Sequence, residues 1–171
     1  PARPWLPASA AETLPLERHG FADLDAHLPR VLIVVAHPDD ELVASGAMYV
    51  HGGRHGGTVD VVTITDGQGR FKYAAFAEAL HGVELTREEI GRRELPAIRR
   101  EEQRRSLELL GARMLVRLGQ PDHRYSQDRM EVLASDAGVW DLDQIRESLD
   151  EHLTQGGYDL VITLTPTPLT H

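Results

Sequence analysis

The chain has 171 residues, enough for one domain with a single sizeable core, and its 41% hydrophobic content is that of a globular protein. A formal net charge of −9 argues against nucleic acid or an anionic lipid surface as the main partner. There is no cysteine, so no disulfide holds the fold and any metal must be bound through nitrogen and oxygen; with no run approaching the roughly 18 to 20 apolar residues of a membrane span and no secretory signal at the start, a soluble cytoplasmic protein is the default expectation.

Residues Pro1 to Pro15 carry four prolines and no regular period, which predicts an extended arm. Phe21, Leu24 and Leu28 then recur at helical spacing, predicting a short helix closed by Pro29, so residues 1–30 stand before the main domain. Val31 to Ala36 is the most apolar run and reads as a buried strand of a parallel sheet. It delivers His37-Pro38-Asp39-Asp40-Glu41. Pro38 cannot donate a ladder hydrogen bond and pushes His37 into an extended conformation, so strand pairing stops there. The loop therefore projects at the carboxyl end of a strand, where open α/β sheets bind ligands. Three neighbouring carboxylates repel one another and are costly to desolvate, so a positive partner is expected. A divalent metal is the simplest one. Imidazole nitrogen with carboxylate oxygen suits zinc, with iron or manganese next, and catalytic zinc takes three protein ligands, so a third must come from elsewhere. The plainer reading is helix capping by Asp39 or Asp40 with Glu41 in the first turn; it accounts for one carboxylate and leaves the histidine unexplained.

Small residues predict a close-packed helix from Leu42 to about Val50, ended by Gly52 and Gly53, and those glycines argue against a metal pair made of His51 and His55, leaving a solvated turn. Thr58 to Thr65 alternates β-branched residues and predicts a second strand. It runs into Asp66-Gly67-Gln68-Gly69-Arg70, where glycines let backbone amides approach a ligand, although the pattern is too short for a dinucleotide or P-loop fingerprint. From Phe71 to Leu95 no pattern is readable beyond a long excursion with a helical piece, placed where lids occur. Pro96 predicts the first turn of a helix running through Gly111, on which Arg99 and Glu102 pair on a solvated face. Met114 to Leu118 is a third strand, followed by a loop holding Asp122, His123 and Arg124. Asp141 with Gln144 predicts a capping box, and Leu142, Ile145, Leu149 and Leu153 line one face of the helix it opens. Tyr158 to Thr165 is the last strand, and Pro166 and Pro168 stiffen the run to His171. Strand and helix alternate throughout, predicting an α/β fold with a doubly wound, mostly parallel sheet. Four strand ends would then share one edge, carrying His37 to Glu41, Asp66 to Arg70, Asp122 to Arg124, and His171.

These residues resemble a known family. Ala36-His-Pro-Asp-Asp-Glu41 after an apolar strand is similar to the signature of the LmbE-like, or PIG-L, zinc-dependent N-deacetylases. Thr65-Asp-Gly-Gln-Gly69, Ile98-Arg-Arg-Glu-Glu102 leading to Leu110-Gly111, Pro121-Asp122 and Tyr158-Asp-Leu-Val-Ile162 resemble further family motifs in the family's order, over about residues 31–171. The resemblance implies a Rossmann-like fold and removal of an acetyl or related acyl group from an amino sugar. It implies that His37 and Asp40 are metal ligands and that Asp39 is the general base acting on metal-activated water. The family closes on two histidines three apart, the first assisting the oxyanion or the leaving amine and the second being the third ligand. Here the sequence stops at His171, which resembles the first of the pair, so the third ligand is expected beyond it unless His171 itself completes the site. His123, in a loop that imitates the closing motif, is the decoy for that place. Arg70, Asp122 and Arg124 are candidates for contacts to a small amino-sugar substrate. A mycothiol-conjugate type of amidase, and a catalytically idle sugar-binding protein of the same fold, are the competing readings; oligomeric state is unspecified.

Overall fold

The alternation of side chains along the second strand explains the layering. In β2 (Arg30–Val35), Val31, Ile33 and Val35 enter one core, whereas Leu32 and Val34 pack into another on the opposite face. A strand buried on both faces has no polar side to show, which is why it reads as an unbroken apolar run. β3 (Thr58–Thr65) repeats the division with Val59 and Val61 against Val62 and Ile64. The computed structural model describes residues 11–16, 28–122, 128, 130 and 139–165.

The remaining strands are β1 (Glu12–Pro15), β4 (Met114–Gln120) and β5 (Leu160–Thr163), and the sheet order is β1-β4-β3-β2-β5. Four strands are parallel, with β2 between β3 and β5, while β1 runs antiparallel along β4. The predicted extended arm therefore ends as an edge strand. The helix predicted from Leu16 to Leu28 falls on residues 17–27, outside the described residues. One face of the sheet is covered by α1 (Ser45–Met48) and α3 (Glu88–Leu110), through Met48 and Leu107. The other is covered by α4 (Leu142–Gly156), through Ile145 and Leu149. Helices on both faces give the doubly wound α/β architecture that the alternation predicted.

Several element boundaries differ from expectation. The helix after β2 is not ended by its glycines: a 3₁₀ turn (Asp40–Ala44), α1 and a π turn (Tyr49–Arg54) run on through Gly52 and Gly53. A β-carbon at Gly52 would stand 2.6 Å from the Gly111 carbonyl oxygen, so this glycine serves a close approach instead of a stop. His51 Nε2 donates to the Pro29 carbonyl oxygen at 2.7 Å, so it braces the turn and is not simply solvated. The excursion between β3 and α3 is ordered, with a 3₁₀ turn (Gln68–Tyr73) and α2 (Ala75–His81). α3 begins at Glu88, and Pro96 lies inside it. Pro96 removes one ladder bond, but burial of Leu95 against Phe71, Ala74 and Leu85 outweighs that loss and carries the helix through.

The capping box at α4 is half formed by the pair expected. Asp141 accepts the Gln144 N–H at 2.9 Å, but the Asp141 N–H donates to Gln120 Oε1 at 2.7 Å, and the Gln120 amide meets the Gln144 side chain. Gln120 thus ties the end of β4 to the start of α4. Leu153, expected on the apolar face of that helix, is exposed, because cluster contacts reach only as far as Leu149.

Near the opposite, amino-terminal end of the parallel strands, Asp60 is fully buried. The Arg113 guanidinium engages both carboxylate oxygens, through Nε at 2.9 Å and through Nη2, and the Tyr158 hydroxyl donates to Oδ2 at 2.6 Å. Burial and the Asp60 carboxylate beside it push the Tyr158 hydroxyl well above its ordinary pKa.

Candidate active site

Three strand ends converge. The Thr65 N–H and Oγ1 both donate to the Ala36 carbonyl at 2.9 Å, and the Asp66 N–H donates to the Gln120 carbonyl at 3.0 Å, so β2, β3 and β4 are tied where their loops depart. The loop after β2 then turns sharply at Asp39, whose φ of 116° makes it the single non-glycine residue with positive φ among the described residues. Such a backbone costs about 1–3 kcal/mol and is characteristic of functional loops. Asp39 occupies the cap position of the 3₁₀ turn but makes no side-chain cap hydrogen bond, so the capping alternative does not describe it.

Each acid in the loop has a different partner. Asp40 Oδ2 accepts the His37 backbone N–H at 2.9 Å and lies 3.1 Å from His37 Nδ1. Burial pulls the Asp40 carboxyl upward, yet the two hydrogen bonds from His37, with the Arg70 charge, leave it below the ordinary carboxylate value. Glu41 is buried, with Oε2 accepting the Asp39 N–H at 3.1 Å and the Gln103 amide at 3.0 Å; burial outweighs these bonds and raises its pKa. Asp39 Oδ2 receives Arg99 Nη2 at 2.6 Å and lies 3.6 Å from Arg70 Nη2. The same Arg99 nitrogen donates to the Pro38 carbonyl, and Nη1 holds Glu102 at 3.0 Å.

Asp122 joins them from the end of β4. Its Oδ1 lies 3.4 Å from His37 Nε2, and its Oδ2 accepts the Gly69 N–H at 3.0 Å. A β-carbon at Gly69 would fall 2.7 Å from that oxygen, so only glycine lets the two loops meet this closely. Flanked by Asp122 and Asp40, whose hydrogen bonds outweigh burial, the His37 imidazole is raised to a pKa of about 10. Nearby, burial raises Asp66, which accepts from the Gln68 N–H at 3.0 Å.

Of the residues singled out in the sequence, His37, Asp39, Asp40, Arg70 and Asp122 come together. Arg124, His123 and His171 lie outside the described residues. Among the described residues no group of three His, Asp or Glu side chains is arranged to hold a metal. His37 Nδ1 and Asp40 Oδ2 nevertheless lie side by side, 3.1 Å apart, a nitrogen and an oxygen of the kinds that borderline divalent cations take as ligands. Arg99, which spacing paired with Glu102 on a solvated face, and Gln103, which the sequence reading did not single out, are further residues of the site. Their signal was the four-residue stripe Gly91, Leu95, Gln103 and Leu107, all buried, into which Arg99 falls.

The family model described as PIG-L: GlcNAc-PI de-N-acetylase matches residues 32–171. The chain belongs to the PIG-L family. Membership points to a deacetylase-type hydrolase acting on GlcNAc-like or related substrates, and the five-stranded, mostly parallel sheet is consistent with the Rossmann-like fold of PIG-L proteins. No curated protein and no solved structure matches the chain. Among the described residues no helix is long and apolar enough to cross a membrane.

Proposed function

We propose that the chain is a metal-dependent hydrolase that removes an N-acyl group from a GlcNAc-like small molecule, with Asp39 as general base. The observation that carries this reading is the Asp39 carboxylate, fixed by Arg99 at 2.6 Å on a strained backbone immediately beside the convergent His37 and Asp40 donors. His37 and Asp40 would hold the metal together with a third ligand from outside the described residues, zinc by donor chemistry with iron or manganese as alternatives. When bound there, it supplies polarisation of the amide carbonyl and of an attacking water. Asp39 takes the proton of that water as the tetrahedral centre forms, and proton return to the departing amine completes amide cleavage. Arg99 keeps the base aimed, so little reorganisation accompanies attack. Asp122, seated on His37 Nε2 and the Gly69 N–H, orients the imidazole, as partners of ligating histidines commonly do. Sugar contacts fall to Arg70 and Arg124, and His171 assists the oxyanion or the amine.

The test pairs elemental analysis with Asp39→Asn. About one zinc per chain is expected in both forms, with hydrolysis of N-acetylglucosamine derivatives falling roughly 100- to 10,000-fold in the variant. Full activity in Asp39→Asn would remove the base assignment, and absence of both metal and hydrolysis from both would favour a binding protein.

A further inference from the structure

The segment between β3 and α3 leaves three large apolar side chains in the open. Tyr73 is 80% exposed, Phe76 78% and Leu80 67%. They follow one another at three and four residues, the spacing that aligns side chains on one helical face. Tyr73, the last residue of the 3₁₀ turn before α2, also borders a cleft that reaches the candidate active site. That cleft, of about 120 Å³, starts at Asp39 and Arg70 and runs between Tyr73, Ala77, Leu95 and Ile98. Its charged lining, which includes the proposed base, is Asp39, Arg70, Arg99 and Glu102, and its apolar lining comes from α2 and the first half of α3.

We propose that this cleft and the adjoining face of α2 seat an apolar substituent of the substrate, an inference that rests on the deacetylase reading. Asp39 borders this cleft, so a group held at the proposed base can extend into it. Mixed lining of this kind, a few polar groups beside apolar walls, is how binding sites fix orientation and reward desolvation together. The volume admits about four water-sized groups, which fits a short alkyl chain or part of one aromatic ring and is too small for a second sugar. Apart from Asp39, Arg70, Arg99 and Glu102, the lining side chains are Tyr73, Ala74, Ala77, Leu95 and Ile98, so a charged or polyhydroxylated substituent against these would lose its water and recover hydrogen bonds only at the Tyr73 hydroxyl. The small side chain of Ala77 creates the space. The substituent is carried either on the acyl carbon or as an alkyl or aryl aglycone, two positions with one chemistry.

The experiment compares kcat/KM of the metal-loaded protein on N-acetylglucosamine, N-butanoylglucosamine and phenyl N-acetylglucosaminide, with backbone amide NMR shifts mapped for the same three compounds. The expected result is about a tenfold preference for one substituted compound over the plain sugar, with shifts at Tyr73, Phe76 and Ala77. Preference for the butanoyl compound places the substituent on the acyl side, and preference for the phenyl compound places it on the aglycone. Ala77→Leu, which fills the cleft, abolishes the preference, and Phe76→Ser, a surface change, cuts it by about threefold. Equal kcat/KM for all three, with shifts that avoid residues 73–80, overturns the subsite and leaves the deacetylase reading standing. Shifts at those residues with no hydrolysis uphold the subsite and overturn the deacetylase reading; neither signal overturns both. Concentration-dependent shifts at Phe76 and Leu80 without ligand assign the face to a second copy of the chain and overturn the proposal.

Discussion

Asp60, within the first half of β3, and Glu41, just past the end of β2, are both shut away from water, yet their surroundings differ in kind. Asp60 has both oxygens engaged by Arg113 and a further bond from Tyr158, so its charge is neutralised and its lone pairs are used. Glu41 has one oxygen with no partner, and no cation faces it directly. The other buried side-chain atoms without a partner among the described residues are Arg99 Nε, Gln103 Oε1 and Arg117 Nε, which also lie toward the carboxyl end of the strands. One end of the sheet is a finished structural joint. The other holds unmatched polar groups, at a cost in stability that a bound ligand or metal offsets.

Substitutions can break this contrast from either side. Asp60→Ala should cost about 3 kcal/mol in urea unfolding, at the low end for a broken buried pair because Arg113 is partly exposed, while kcat of the folded fraction holds. Loss of activity in step with lost metal would place Asp60 in the site after all. Arg99→Lys should act oppositely: a single ammonium cannot serve Asp39, the Pro38 carbonyl and Glu102 together, so kcat falls by about tenfold with KM little changed. A large shift in unfolding temperature with unchanged kcat would make it structural only. Glu41→Gln removes a buried charge whose pKa is already raised, and should stabilise the fold by about 1 kcal/mol, raising the unfolding temperature by about 2–4 °C. A fall instead would mean that its carboxylate is matched in solution.

A dependence on pH also separates the two ends, in the metal-free chain. His37 is raised to about 10, so its contribution to stability is fully present below its unfolded value of 6.5 and is lost as pH rises through about 10. Tyr158 is raised above its ordinary 10.0, so the structural joint weakens only at pH above that. Between pH 7 and 10 the unfolding temperature should therefore decline from the site end alone, and His37→Asn should flatten the decline. A slope unchanged by that variant would locate the titration elsewhere.

The loop from His37 to Glu41 was legible because a proline and three acids at the end of an apolar run leave few physical uses. The burial of β2 and β3 was legible for the same reason, since both declare it in composition, whereas the order of the strands was not. Arg99 was not, because its i,i+3 neighbour Glu102 offers a sufficient local explanation; only the buried stripe of α3 shows that the guanidinium turns inward. The start of α3 was hidden by Pro96, whose local penalty is outweighed by packing at Leu95 that no local pattern displays. Gln120 illustrates a third kind of difficulty, since an amide that bridges a strand end and a helix start has no spacing signature at all.

The stripe on α3 also sets how the chain can change length. Leu95 borders the cleft, Arg99 aims the proposed base, Gln103 meets Glu41, and Leu107 is in the core, all on one line of the helix. Each residue turns the helix by about 100°, so a single insertion or deletion between Leu95 and Leu107 would swing one group of these contacts away from the other. Relatives of this chain are thus expected to vary in length around His81 and Gly82, where the chain is exposed, and to keep the count from Leu95 to Leu107 fixed.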